Sequence, residues 1–280
     1  MSDERLRFWG EKLSRKLARG IPQQQNLLEF CRAVVSERIE RNGDAIIAIT
    51  GSKGKGKSSL SLNLTMLFIT FGMEYQESHM VHGLSDMPEV VRKMTRTKKC
   101  VFIFDEIIKM AYGREAMTST NRKLNQIFTI ARKMNHIIIL NLPYFRPLDS
   151  GIRNNNVNFW FHVFAKSQDK KRDRGFAIAA FFTKNMNMNS SDLWGLDDKK
   201  LVKRQVFSSH MLFDKVIKRM PCYRKLIRFP PLPITIEEKY VESSESAIAE
   251  FGDDWIEEIK GGKKPKTAAP AEHADELTGS

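Results

Sequence analysis

Eight residues, GSKGKGKS from Gly51 to Ser58, fit the spacing G-x-x-x-x-G-K-[ST]. That spacing cradles phosphates. Gly51, Gly54 and Gly56 let the backbone curl without Cβ clashes, so that successive N–H groups converge on phosphate oxygens. Lys57 is set to reach the β- and γ-phosphates, and the Ser58 hydroxyl to ligate Mg²⁺. Ser52, Lys53, Lys55 and Ser59 complete the candidate phosphate-binding set. A second group lies fifty residues on, where the apolar run VFIF ends in Asp105 and Glu106. A carboxylate at the end of a buried strand beside a phosphate site can hold the metal and its water shell, the Walker-B role assigned to Asp105. Glu106 can then polarise an attacking water as general base. A third candidate, Asn141, closes the apolar run HIIIL and would meet a γ-phosphate or that water.

These groups need elements to hold them. AIIAIT (45–50) reads as a buried strand, and SSLSLNLTMLFITFG after it as a helix whose N-terminus adds its dipole to anion binding. HMVHGL reads as a short strand, SDMPEVVRKMT as a helix, CVFIFDE as a strand, and GREAMTSTN as a polar loop. The helix RKLNQIFTIARKM and the strand HIIILN follow. Continuous apolar strands alternating with helices predict an α/β fold, a mainly parallel sheet covered on both faces. VNFWFHVFA and FAIAAFF, flanking the charged KSQDKKRDRG, predict an antiparallel hairpin at its end.

The pattern divides the chain into a helical appendage (1–43), a P-loop core (44–183), a basic helical part (184–236), an acidic segment (237–260) and a disordered tail (261–280). In the first 20 residues Leu6, Trp9, Leu13 and Leu17 lie among six basic residues. They form an amphipathic helix, read here as docked on the core rather than on a membrane. A second helix follows Pro22 and stops near Asn42-Gly43.

The formal charge is +13, and the acidic segment holds nine acids against two lysines, a local −7. With the tail neutral, +13 less −7 leaves +20 on the first 236 residues. So basic a body fits a polyanion, most simply nucleic acid, with an anionic membrane surface as the competing reading. The hairpin tip at 166–174 and the run 199–228 are the candidate backbone contacts. No apolar run of membrane-spanning length and no signal-peptide pattern occurs, which predicts a cytoplasmic protein, peripheral to a membrane or virion at most. Cys31, Cys100 and Cys222 are too far apart for a metal centre and read as reduced thiols.

The stretch ARKMNHIIILNLPYFRPLDSGIRNNNVNFWFHV (131–163) resembles the corresponding part of the FtsK/HerA superfamily of motor ATPases. An Ala-Arg helix leads into an apolar strand ending in a polar sensor, then a proline, then an Ile-Arg-Asn segment ten residues beyond it. Asn141 stands where that family usually has glutamine, one methylene longer. With the two Walker motifs the resemblance spans about residues 44–183. It implies an ATP- and Mg²⁺-dependent ring, often a hexamer, moving DNA through a pore, with contacts to capsid, portal or membrane in packaging and phage assembly. It also implies an arginine reaching the neighbouring subunit's nucleotide, for which Arg132 and Arg153 are the matching positions. The stand-alone size suits small viral and mobile-element ATPases, including those similar to the zonular occludens toxin family. A terminase would add a nuclease domain that 184–236 is too poor in acids to form, and a ParA-like ATPase would carry lysine at position 52 instead of serine. A protein-loading or scaffolding ATPase, and a membrane-associated export ATPase, stay open.

Overall fold

The computed structural model describes residues 3–52, 54–82, 87–105, 114–145, 148, 150–163, 177–186, 193–194, 217–242 and 245, with side chains left aside at 87, 114–123 and 219. Seven strands form one sheet in the order β2-β3-β4-β1-β5-β6-β7. They are β1 (Ala45–Thr50), β2 (Met80–Val81), β3 (Val101–Phe104), β4 (Ile137–Leu142), β5 (Phe159–Val163), β6 (Ala177–Thr183) and β7 (Tyr223–Phe229). The first five run parallel, and β5-β6 and β6-β7 pair antiparallel. The predicted α/β class and the terminal hairpin are therefore both present.

Alternate residues of each strand feed two cores. Ile47, Ile49, Ile103 and Ile139 face α1 (Asp3–Ala18), α2 (Pro22–Val34) and α3 (Lys57–Thr70). Ile46, Ala48, Phe102 and Leu140 face α4 (Met87–Arg96) and α5 (Arg114–Met134). Burial on both faces is why these strands read as unbroken apolar runs. Helix α3 is covered on all sides, with every residue from Leu60 to Ile69 buried, so its polar Ser61, Asn63 and Thr65 must bond internally.

The basic amphipathic helix docks on the protein. Leu6 and Leu17 are wholly buried and Leu13 nearly so, while Arg5, Arg7, Lys12, Arg15, Lys16 and Arg19 face water. Its approach is close at Gly10, where a Cβ would stand 2.3 Å from the Met66 carbonyl oxygen of α3. A side chain there would push the two helices apart.

Two assignments change. Helix α5 begins at Arg114, so most of the expected loop GREAMTSTN is helical; its Arg, Glu, Ala and Met residues are strong helix formers despite their polarity. YRKLIRF, inside the stretch read as helical, is the edge strand β7. Only Ile227 and Phe229 of it are buried, and the charges of Arg224 and Arg228 keep the edge soluble. A further helix, α6, covers 234–242 among the described residues, with 245 helical as well. Among the described residues no helix is long and apolar enough to cross a membrane.

Candidate functional site

The candidate phosphate loop runs between β1 and α3, with Lys53 outside the described residues. β1 ends at Thr50, which is tied to β5: Trp160 Nε1 donates to Thr50 Oγ1 at 2.8 Å, and His162 Nδ1 lies 2.9 Å from the same oxygen. The chain then turns through Gly51, Gly54 and Gly56 at φ of 151°, 74° and 96°. Such values favour glycine, and a Cβ on Gly51 would also stand 2.8 Å from the Val163 carbonyl oxygen. Helix α3 starts at Lys57, directly after the left-handed Gly56. Its first N–H groups have no intrahelical acceptor and face the loop's concavity. Lys57 Nζ donates back to the carbonyls of Gly51 (2.9 Å) and Ser52 (3.3 Å), which holds the ammonium over the loop.

Strand register sets the acids. β4 is inserted between β1 and β3, pairing Asn141 with Ile49 and Leu140 with Phe104. Asp105, one residue past Phe104, is thus level with Asn141, about 10 Å across the sheet from β1, two strand spacings. It faces the α3 side like Ile103 two residues before it, it is 8% exposed, and its N–H donates to the Val81 carbonyl at 2.8 Å.

Ser58 and Asp105 converge. Tyr240 Oη lies 2.7 Å from Ser58 Oγ and hydrogen-bonds Asp105 Oδ2. Two oxygens sharing one hydroxyl are at most about 5–6 Å apart, two hydrogen-bond lengths. Mg²⁺, with oxygens at about 2.1 Å in an octahedron, needs donors about 3–4 Å apart, so a small inward shift suffices. Among the described residues no three His, Cys, Asp or Glu side chains gather as a metal centre. A hydroxyl and one carboxylate nevertheless match the protein share of a Mg²⁺ shell that phosphates and water complete. The residues present fit the ion.

Asn141 sits inside β4 rather than at its end, wholly buried, because the strand continues to Leu142. Its Oδ1 lies 2.6 Å from Ser61 Oγ, one turn along α3 from Lys57, and its Nδ2 is a buried donor without a partner among the described residues. An orphaned amide there is costly to stability, which favours a ligand role over a purely structural one.

The two arginines lie elsewhere. Arg132 is in the last turn of α5, exposed, with Asp44 within its field just before β1. Arg153 belongs to the short turn Ile152–Asn156 that precedes β5, and its carbonyl accepts from Trp194 Nε1 at 3.0 Å. Arg132 is at the amino ends of the strands, opposite the P-loop, whereas Arg153 lies beside Trp194, which packs on Trp160 of β5 and on Phe145 beyond β4. Lys53, Glu106 and the hairpin tip 166–174 lie outside the described residues, as do 199–216 and the tail 261–280.

Three features of the site were not read from the sequence: Tyr240, the Ser61–Asn141 pair, and the tie of Thr50 to β5. Ser61 follows Lys57 by one helical turn and could have been found on that spacing. Tyr240 is 182 residues from Ser58, and no local signal links them. Beside the loop a groove of about 910 Å³ opens, bordered by Gly56, Ser59 and Asn63 and by the apolar Trp9, Phe229 and Pro231.

No protein-family model matches the chain, and no curated protein does. Solved structures are similar to it at low identity. One is the structure of PCH-2 from C. elegans, at 20% identity and a TM-score of 0.36, covering 52% of this chain and 42% of that one. Another is the KaiC-like protein PH0186 from Pyrococcus horikoshii, at 13% identity and a TM-score of 0.31, covering 52% of this chain and 82% of that one. The chain thus spans less than half the length of the nematode protein. Neither likeness is to the FtsK/HerA superfamily in particular, whose resemblance rests on residues 131–163 together with the two less specific Walker motifs. Function is argued from the site itself.

Proposed function

We propose that this chain is a Mg²⁺-dependent ATPase whose hydrolysis drives DNA through a ring of identical subunits. The observation that carries the enzymatic part is the convergence of Ser58 and Asp105 on one point at the mouth of a formed P-loop. The N–H groups from Gly51 to Ser59 and the Lys57 ammonium bind the phosphates, and the apolar groove beside Gly56 takes the nucleoside. Ser58 and Asp105 hold the ion, which when bound neutralises charge developing on the phosphate oxygens. Glu106, next to Asp105, takes the proton of the attacking water. Asn141 Nδ2 offers that water or the γ-phosphate a donor from the intervening strand.

The cargo is argued from charge. Six basic side chains on the outer face of α1 and the exposed Arg224 and Arg228 of β7 give a cationic surface suited to a phosphate backbone. The membrane reading is weaker, because the leucines that would enter a bilayer are buried against the core. An arginine from a neighbouring subunit, for which Arg132 and Arg153 are the matching positions, is why the reading includes a ring, of six in the manner of the superfamily that 131–163 resembles. A cytoplasmic setting, peripheral to an assembling virion, belongs to the same proposal.

ATP hydrolysis by the purified protein, measured with double-stranded DNA, with single-stranded DNA and with no polymer, tests it. The expected result is stimulation by one form of DNA that fades as salt rises and vanishes in Glu106→Gln. Hydrolysis indifferent to every nucleic acid ends the DNA-motor reading while leaving the ATPase, and directs the search to a protein cargo.

A further inference from the structure

We propose that α6 is an autoinhibitory latch, with the Tyr240 hydroxyl standing where Mg²⁺ must bind and the helix leaving when Mg²⁺-nucleotide arrives. The inference rests on the ATPase reading and adds its regulation.

One phenolic proton cannot serve both partners. The Asp105 carboxylate is the stronger acceptor and takes it, which leaves the Ser58 hydroxyl to donate to Tyr240 Oη at 2.7 Å. Both oxygens needed for the metal are then engaged by one side chain of the same chain. Metal and tyrosine compete for the same two atoms, so each occupant excludes the other.

The attachment of α6 suits a part that moves. Docking uses a single stripe, with Leu232 just before the helix, then the buried Ile236 and half-buried Tyr240 at successive four-residue steps. Lys239 is half-buried too, while Ile234 is 60% and Val241 41% exposed. The segment leading into α6 is held more firmly. Asn63 Nδ2 of α3 donates to the Pro230 carbonyl at 3.1 Å, and Phe229 is buried at the end of β7. Release would therefore pivot at Pro230–Pro233, keeping α6 tethered beside the site it had closed.

The groove that exposes Gly56 and Ser59 is bordered by Glu237 together with Lys12 and Lys16 of α1, so its charge does not turn a triphosphate away and the exclusion rests on the two oxygens that metal and tyrosine share. Metal-free nucleotide does not displace Tyr240; the nucleotide with Mg²⁺ does.

Amide exchange across 234–242 and affinity for a fluorescent ATP analogue test the latch. Both are measured on the full chain, with Mg²⁺ and with EDTA, in wild type, Tyr240→Phe and Lys57→Ala. A non-hydrolysable ATP analogue with Mg²⁺ is expected to speed exchange in 234–242 about tenfold or more, while the same nucleotide in EDTA leaves it protected. Tyr240→Phe, losing both hydrogen bonds but keeping the ring, is expected to tighten Mg²⁺-dependent binding about tenfold and to leave binding in EDTA unchanged. Exchange that Mg²⁺-nucleotide leaves unchanged or slows overturns the latch. Unchanged or weaker Mg²⁺-dependent binding by Tyr240→Phe overturns it too, the weaker case assigning the hydroxyl to the metal's hydration shell. Wild type that binds no nucleotide in either condition, like Lys57→Ala, overturns the nucleotide site along with the latch, and only that result removes both.

Discussion

The two ends of the central sheet are both polar, yet they are finished differently. At the amino end the groups satisfy one another. Arg38 Nε donates to the Asp44 carbonyl at 2.7 Å, its guanidinium stands 3.9 Å from the Asp44 carboxylate, and Asn135 Nδ2 donates to the Gly43 carbonyl at 3.1 Å. Asn158 Oδ1 accepts the Ile46 N–H at 2.8 Å. At the carboxyl end the polar groups outnumber their partners. The first N–H groups of α3 point into an open loop, Lys57 folds back on the loop's carbonyls, and Asn141 Nδ2 has no acceptor among the described residues. Among the described residues, the Ser58 hydroxyl and the Asp105 carboxylate share one partner, a tyrosine from a distant helix. Closed networks stabilise; open ones cost stability and are kept for a ligand. The contrast marks the carboxyl end as the candidate binding end.

Breaking Lys57 tests the contrast most severely. Lys57→Ala is expected to weaken nucleotide binding roughly a hundredfold, the loss of charge-assisted hydrogen bonds to phosphate. Because the Gly51 and Ser52 carbonyls it holds belong to the loop itself, the thermal unfolding midpoint should hardly move. A large fall in that midpoint would show the loop to be structural.

Asn141→Leu sharpens the contrast at smaller amplitude. The substitution removes an orphaned donor, while Ser61 keeps the Lys57 carbonyl at 3.1 Å. Stability should stay within about 1 kcal/mol of wild type. The hydrolysis rate should fall about tenfold, the low end for a positioned polar group. Chemical denaturation beside a turnover assay gives both numbers; lost stability with intact turnover would assign Asn141 to the fold.

The smallest effect is expected at the amino end. Burial, with Arg38 nearby, lowers the Lys184 pKa from 10.5 to about 8, and Asp44 opposes the shift. The unfolded chain keeps its proton up to 10.5, so between pH 8 and 10.5 the unfolded state binds more protons than the folded one. Stability should therefore rise with pH across that window, by about 1 kcal/mol once the partial exposure of the ammonium is allowed for. Lys184→Met should flatten the rise without touching nucleotide affinity. An undiminished slope in the variant would assign it to other groups.

The elements that carry the phosphate site were legible because their chemistry is local. AIIAIT and VFIF are buried on both faces and so lack the alternation that a half-exposed strand shows, and the glycine-lysine loop follows the first of them at once. β7 was missed because an edge strand buries only Ile227 and Phe229, too little to outweigh its charges. The start of α5 was missed because polar helix formers resemble a loop when nothing shows what they face.

By itself, then, the chain's order of residues determined the P-loop, the acid at the end of the second strong strand, the two-faced sheet and its terminal hairpin. Each depends on backbone geometry and burial within a few residues of the motif. Tertiary structure alone decided that β4 stands between β1 and β3, that Arg132 lies at the opposite end of the sheet from the P-loop, and that Tyr240 stands between Ser58 and Asp105. Strand order and long-range closure depend on which surfaces bury best against one another. That sum runs over the whole molecule, and no window of sequence contains it.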